Sequence, residues 1–154
     1  MTSSTIAQAL DRLGYGVYLI GVKTPHKMNA MTAAWVTQVS SRPPLVLVAI
    51  GKTHYTSELI AEAGAFSVNV LRSDQYELAR RCGFGSGRQT DRLAGVEVAF
   101  KTTGAPVLTE CAAYLDCKVV ERLEAGDHHL FIGEVVEGSD TGAPAMVYRS
   151  ADFF

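Results

Sequence analysis

The chain is poor in cysteine. It has three, Cys82, Cys111 and Cys117, with no pair at CxxC spacing. That speaks against a disulfide framework and against a cysteine-held zinc or iron–sulfur centre. The thiols read as reduced, with a redox role for one of them as the alternative. Charge is sparse as well: 19% of residues, balancing to −2, with no basic block. A nucleic-acid partner is not expected from such a surface. The longest apolar run, residues 45–50, is too short to cross a bilayer. Met1-Thr2-Ser3-Ser4-Thr5 has no charged region ahead of a long apolar segment, so no secretory signal is expected and the location reads as cytoplasmic. No repeat, linker, P-loop, GxGxxG turn or Ser-His-Asp signature is present. Gly83-Phe84-Gly85-Ser86-Gly87 is rich in glycine, but no strand precedes it, so it is not a dinucleotide fingerprint.

What is there suits one compact domain, residues 1–154. The chain is 47% hydrophobic and long enough to bury a real core. Thr5 and Gln8 have capping-box spacing, and Ile6, Leu10 and Leu13 fall on one face of a short helix ending before Gly14. Residues 15–22 are apolar on both parities, as in a strand covered on both sides. Residues 29–40 read as a second strand and 45–51 as a third. A helix should follow residues 52–57, with Leu59, Ile60 and Ala63 inward and Gly64 as its stop. Residues 66–71 alternate like a half-buried strand. Ser73 can cap a helix running to about Arg81, stopped by Gly83. Residues 112–122 and 130–136 read as two long strands joined through Glu124-Ala125-Gly126-Asp127-His128, and residues 146–148 as a last short one. The order is not βαβα, so the expectation is mainly β with short helices: an antiparallel barrel with helices packed outside.

Three stretches could carry chemistry. The first is Asn29-Ala30-Met31-Thr32-Ala33-Ala34-Trp35, continuing to Ser40-Ser41-Arg42-Pro43-Pro44. Small residues admit a ligand close to the backbone, and hydroxyls can bond it. The prolines should keep the chain extended and block ladder pairing there, leaving nearby polar groups for a ligand. The plain alternative is a turn leading into a buried strand. Trp35 could stack on a planar ring or sit in the core. The second stretch is Lys52-Thr53-His54-Tyr55-Thr56-Ser57, a cation, an imidazole and hydroxyls at a helix start. Such a place favours a phosphate monoester; an ordinary N-cap is the alternative. The third is Gly126-Asp127-His128-His129. Adjacent histidines on a strand point to opposite faces and chelate one metal poorly, so no metal site is expected. One histidine facing a cleft could serve as donor or proton relay, while Asp127 reads as a turn residue. Arg88 and Arg92 could meet a second anion or lie on a solvated surface.

Taken in order along residues 16–148, these stretches resemble the flavin reductase-like family, whose fold is the FMN-binding split β-barrel, antiparallel and Greek-key-like. The resemblance rests on Asn29-Ala30-Met31-Thr32-Ala33-Ala34-Trp35, on Ser40-Ser41-Arg42-Pro43-Pro44-Leu45-Val46, on Phe66-Ser67-Val68-Asn69-Val70-Leu71, and on Gly126-Asp127-His128 with Ile132-Gly133-Glu134-Val135. It implies a homodimer holding FMN, ahead of FAD, near the subunit interface. By analogy Asn29, Ala30, Met31, Thr32, Ala33, Trp35, Ser40, Ser41 and Arg42 would line the ring and ribityl chain. Lys52, Thr53, His54, Tyr55 and Thr56 would neighbour the phosphate. His128 matches the position near the nicotinamide of the reductases, where NAD(P)H gives a hydride to flavin N5. The chain is most similar to small members that hold FMN firmly, including flavin domains feeding a rubredoxin. It has no rubredoxin cysteine set, so an acceptor protein would be a separate molecule. Two readings follow: an NAD(P)H-dependent FMN reductase, or an FMN-holding electron carrier with little nicotinamide activity. Haem and pyridoxal phosphate also occur in split barrels, but no axial-ligand or dedicated lysine pattern is present.

Overall fold

The computed structural model describes residues 4–83, 87 and 91–153. The nine strands among them are β1 (Tyr18–Lys23), β2 (Met28–Ala33), β3 (Val36–Ser41), β4 (Pro44–Gly51), β5 (Ala65–Val70), β6 (Val98–Phe100), β7 (Pro106–Leu108), β8 (Ala113–Ala125) and β9 (His128–Asp140). Three helices accompany them: α1 (Ser4–Leu10), α2 (Tyr55–Ala63) and α3 (Tyr76–Gly83). Seven strands form one sheet in the order β2-β1-β5-β8-β9-β4-β3, and β6 pairs with β7 beside it. Every pairing is antiparallel. The two edge strands, β2 and β3, are neighbours in the chain but do not pair, and this leaves the antiparallel barrel split.

The alternation of side chains along each strand sorts the apolar residues into two clusters. Inside the barrel lie Ile20, Val22, Val46, Val48, Phe66, Val68 and Phe131, joined by Leu59 and Ile60 of α2. Phe66 and Phe131 are almost fully buried, and each contributes on the order of 2–3 kcal/mol. Outside, Val17, Leu19 and Ala30 pack with Leu71, Ala79 and Cys82 against α3. Residues 17–22 are therefore covered on both faces, as their double-parity pattern implied. Gly133 sits under this packing: a Cβ there would lie 2.7 Å from Phe66 Cζ and 2.8 Å from Cys117 Cβ.

Several local expectations change. Residues 29–40 are two strands, broken at Ala34 and Trp35. The prolines do not prevent pairing: Ser40 faces Leu45 and Ser41 faces Pro44, with Arg42 and Pro43 as the hairpin turn. Pro44 can open β4 because the first residue of a strand tolerates a missing N–H. Residues 66–71 are not half-buried. Ser67 and Asn69 are buried too, because β7 covers that face: Ser67 Oγ donates to Pro106 O at 2.5 Å, and Leu108 N–H donates to Asn69 Oδ1 at 2.9 Å. Neither β6 nor β7 is evident in the sequence pattern. α1 begins at Ser4, so Thr5 is inside the helix rather than its cap. Its expected apolar face is exposed, with Ile6, Leu10 and Leu13 in solvent. α3 begins at Tyr76, not after Ser73; Gln75 Oε1 accepts from Arg72 N–H at the preceding turn. Residues 146–148 make only an isolated bridge, Gly16 to Val147. α2 ends as expected, with Gly64 at φ 69° donating to Ile60 O. Among the described residues no helix is long and apolar enough to cross a membrane.

Candidate functional site

Among the described residues β2 is an edge strand, so half of its backbone groups face no neighbouring strand. Residue alternation decides which half. Arg92 Nη1 donates to Ala30 O at 3.1 Å from off the sheet. With a two-residue period, the N–H and C=O of Ala30 and Thr32 point away from β1, while those of Asn29, Met31 and Ala33 turn toward it. Thr32 also anchors α3, its Oγ1 donating to Ala79 O at 2.6 Å. Beside this edge lies a cavity of about 190 Å³ whose walls include Val17, Thr32, Ala34, Ala79, Tyr148 and Phe153. The walls are mostly apolar and the backbone edge is polar, which suits a flat ring with polar atoms on one side.

The start of β2 reaches α2. Asn29 is buried, and its Nδ2 donates to Thr56 Oγ1 at 3.3 Å. Among the described residues Asn29 Oδ1, which is buried, has no hydrogen-bond partner. Gly87 packs against the Asn29 amide so closely that a Cβ there would overlap it. Thr56 is thus buried, and Tyr55 packs against the barrel core. The exposed members of the expected phosphate neighbourhood are Lys52, Thr53 and His54. His54 occupies the N-cap position of α2 with extended backbone and no side-chain cap bond. The first-turn amides and the helix dipole favour an anion at this end. Partial desolvation of its ring, then the charges of Arg92 and His128, hold His54 below the ordinary 6.5, although the residue as a whole is open to solvent. Gly51 makes room for the imidazole: a Cβ there would lie 2.6 Å from His54 Cδ2.

The β8–β9 turn closes the other side. Gly126 takes φ 56°, which glycine adopts at little cost. Lys52 N–H donates to Asp127 O at 2.9 Å, tying the turn to the α2 entrance. The two histidines face opposite ways. The His128 ring lies 4.6 Å from the Trp35 ring, and its Nδ1 is 2.7 Å from Asp127 Oδ1. This contact holds the Asp127 carboxyl below its ordinary range. His129 Nδ1 instead meets Ser57 Oγ at 2.5 Å, and its Nε2 lies 3.1 Å from Arg122 Nη2. Trp35 is 49% exposed, so it is a surface ring rather than core.

The structure therefore brings Trp35, Lys52, His54, Asp127 and His128 together, and brings Asn29 and Arg92 to the same end. Arg92 is buried and bonded to β2, not a solvated surface residue. Arg88 lies outside the described residues. Ser40, Ser41 and Arg42 sit at the tip of the β3–β4 hairpin, at the opposite end of β4 from Lys52. The eight residues of β4 make that separation roughly 26 Å, so within one chain they stand apart from the helix entrance. The sequence reading missed Val17, Ala79, Tyr148 and Phe153 as cavity walls. Its one available signal was the aromatic content of residues 148–154.

Comparison with known proteins bears on this arrangement. The family model described as "Flavin reductase like domain" matches residues 10–153. The chain is 35% identical over 134 residues to a high molecular weight rubredoxin of Moorella thermoacetica, covering 86% of this chain and 58% of that protein. It is 32% identical to a ferric-chelate reductase (NAD(P)H) of Archaeoglobus fulgidus, covering 95% of this chain and 87% of that one. Among solved structures, flavoredoxin from Methanosarcina acetivorans superposes with a TM-score of 0.79 at 33% identity, covering 91% of this chain and 77% of that chain. Several relatives are longer: the chain spans 58% of that rubredoxin and 24% of a diflavin flavoprotein of Synechocystis.

Proposed function

This chain belongs to the flavin reductase like domain family, and from that premise we propose that it is an FMN-dependent oxidoreductase of the NAD(P)H:flavin reductase type, active as a cytoplasmic homodimer. The observation that carries the reading is the pairing of a free strand edge beside a ring-sized cavity with a cationic helix entrance at the other end of the same strand. The residues present fit FMN. Asn29 Oδ1, buried and without a partner among the described residues, and the outward backbone of Thr32 offer polar contacts along β2. Lys52, Thr53 and His54 offer a cation and donors to a phosphate. Bound FMN would supply two-electron chemistry, accepting a hydride from NAD(P)H at N5 and passing electrons onward.

The chain's own part is to bind, orient and exclude water. Thr32 fixes α3 against β2, and Arg92 clamps the Ala30 carbonyl, so the edge is held in place. Asp127 fixes the orientation of the His128 ring over Trp35. In this reading His128 positions the nicotinamide and no side chain acts as a strong acid or base. Mixing the purified protein with FMN and NADH or NADPH under anaerobic conditions tests it. Bleaching of the flavin faster than in buffer is expected; bleaching at the buffer rate overturns it.

The relation to a rubredoxin-bearing protein favours a second reading, an FMN-holding electron carrier reduced by a separate redox protein. His128→Ala separates the two. A reductase loses rate with NAD(P)H while FMN stays bound; a carrier shows little nicotinamide activity with or without the substitution.

A further inference from the structure

The cavity beside Thr32 has a wall that lies far away in sequence. Residues 143–153 return along the outside of β1 and α3, held by Met146 N–H to Leu71 O at 2.8 Å and Tyr148 N–H to Tyr15 O at 2.8 Å. They bring in a chain of rings. Tyr15 meets Tyr148 at 6.3 Å, Tyr148 stacks on Phe153 at 5.6 Å with planes 7° apart, and Phe153 meets Tyr76 at 5.3 Å. Two of these rings, Tyr148 and Phe153, line the cavity together with Thr32 and Ala34. Their mutual packing fixes them, so little side-chain entropy would be lost on meeting a ligand. The cavity, about 190 Å³, is below the roughly 300–1,000 Å³ of a whole drug-sized ligand site. It suits one end of an extended ligand whose charged end lies elsewhere.

We infer that Tyr148 and Phe153 form the aromatic wall of the ring subsite, contacting the planar flavin ring and setting how tightly it is retained. This deepens the flavin reading above and rests on it. The wall and the helix entrance divide the ligand between them: rings at residues 148–153, phosphate at Lys52 and His54. Offset stacking and edge contacts between aromatic systems favour such a wall over an aliphatic one.

The division makes the test specific. FMN and riboflavin are titrated against wild type, Phe153→Ala, Phe153→Leu and Lys52→Ala, reading flavin fluorescence and dissociation constants. The ring wall predicts that both Phe153 variants weaken FMN and riboflavin by the same factor, about tenfold each, and brighten the bound flavin. Lys52→Ala should weaken FMN alone. Phe153→Leu keeps an apolar side chain in the strap, so it separates loss of a ring contact from loss of fold, which thermal melts monitor. If both Phe153 variants bind both flavins with wild-type affinity and brightness, the wall has no such role. If wild type binds neither flavin, the flavin reading itself falls.

Discussion

His54 is the residue at which charge and position meet most directly. Its imidazole stands at the α2 entrance with its pKa lowered by burial and by the neighbouring charges of Arg92 and His128. At neutral pH it is uncharged, a donor or acceptor rather than a cation. An anion bound at the helix entrance would favour the imidazolium, so proton uptake and phosphate binding reinforce each other. The direction follows: affinity for FMN in wild type, relative to His54→Gln, should rise as the pH is lowered and the imidazole takes up its proton. Taking the ratio of the two proteins removes the titration of the ligand's own phosphate, whose second pKa is about 6. Riboflavin should give a flat ratio. A flat ratio for FMN would take His54 out of the phosphate neighbourhood. Asn29 is the companion case. Its buried amide joins β2 to α2 through Thr56, so a residue that looked like part of a ligand wall also fixes where the helix begins.

At the scale of elements, β5 shows what a short motif can hide. Phe66-Ser67-Val68-Asn69-Val70-Leu71 alternates as though one face were wet. The polar residues face β7 instead. Asn69 Nδ2 donates to Leu19 O at 2.9 Å and to Ser67 Oγ at 3.0 Å, and Oδ1 receives Leu108 N–H. One amide thus joins β1, β5 and β7. Asp116 does similar work next door, accepting from both the N–H and the hydroxyl of Thr103 in the approach to β7. Replacing Asn69 by Leu leaves a buried N–H and a buried C=O without that partner, which costs about 3 kcal/mol. Urea unfolding of Asn69→Leu measures it; a loss below about 1 kcal/mol would mean that β7 is held by something else. The broken strand at Ala34 and Trp35 is a second example. An unbroken strand over residues 29–40 would have placed the edge groups of β2 and the surface of Trp35 on one rigid ribbon. The break lets the chain pass from one sheet edge to the other, which is how one short segment serves both sides of the split.

Over the whole molecule, large apolar side chains remain in solvent on one group of strands. Trp35 and Val39 lie at or on β3, Val120 and Leu123 on β8, and Val136 on β9, each more than 40% exposed. Exposed apolar side chains of this kind are what the proposed homodimer would cover. Sedimentation of the wild-type protein should show two copies. Leu123→Lys combined with Val39→Lys should shift it to one, because a charge in an apolar interface is not compensated there. A wild-type monomer at micromolar concentration would remove the dimer from the functional reading.

Read alone, the sequence determined the antiparallel β class, the stop at Gly64, the joining of two long strands around Gly126, the double-sided burial of residues 17–22 and the opposed faces of His128 and His129. Each depends on side-chain period or on a backbone angle only glycine takes easily, and both are local properties. The tertiary structure decided which strands became edges, and through that which backbone groups face away from the sheet: those of Thr32 do, those of Met31 and Ala33 do not. It also decided that Thr56 is buried behind Asn29, that Ser40 to Arg42 stand a strand's length from Lys52, and that Tyr148 and Phe153 line one cavity with Thr32 across more than a hundred residues of chain. No local pattern carries these, because closing a barrel sets distances between segments that are remote along the chain.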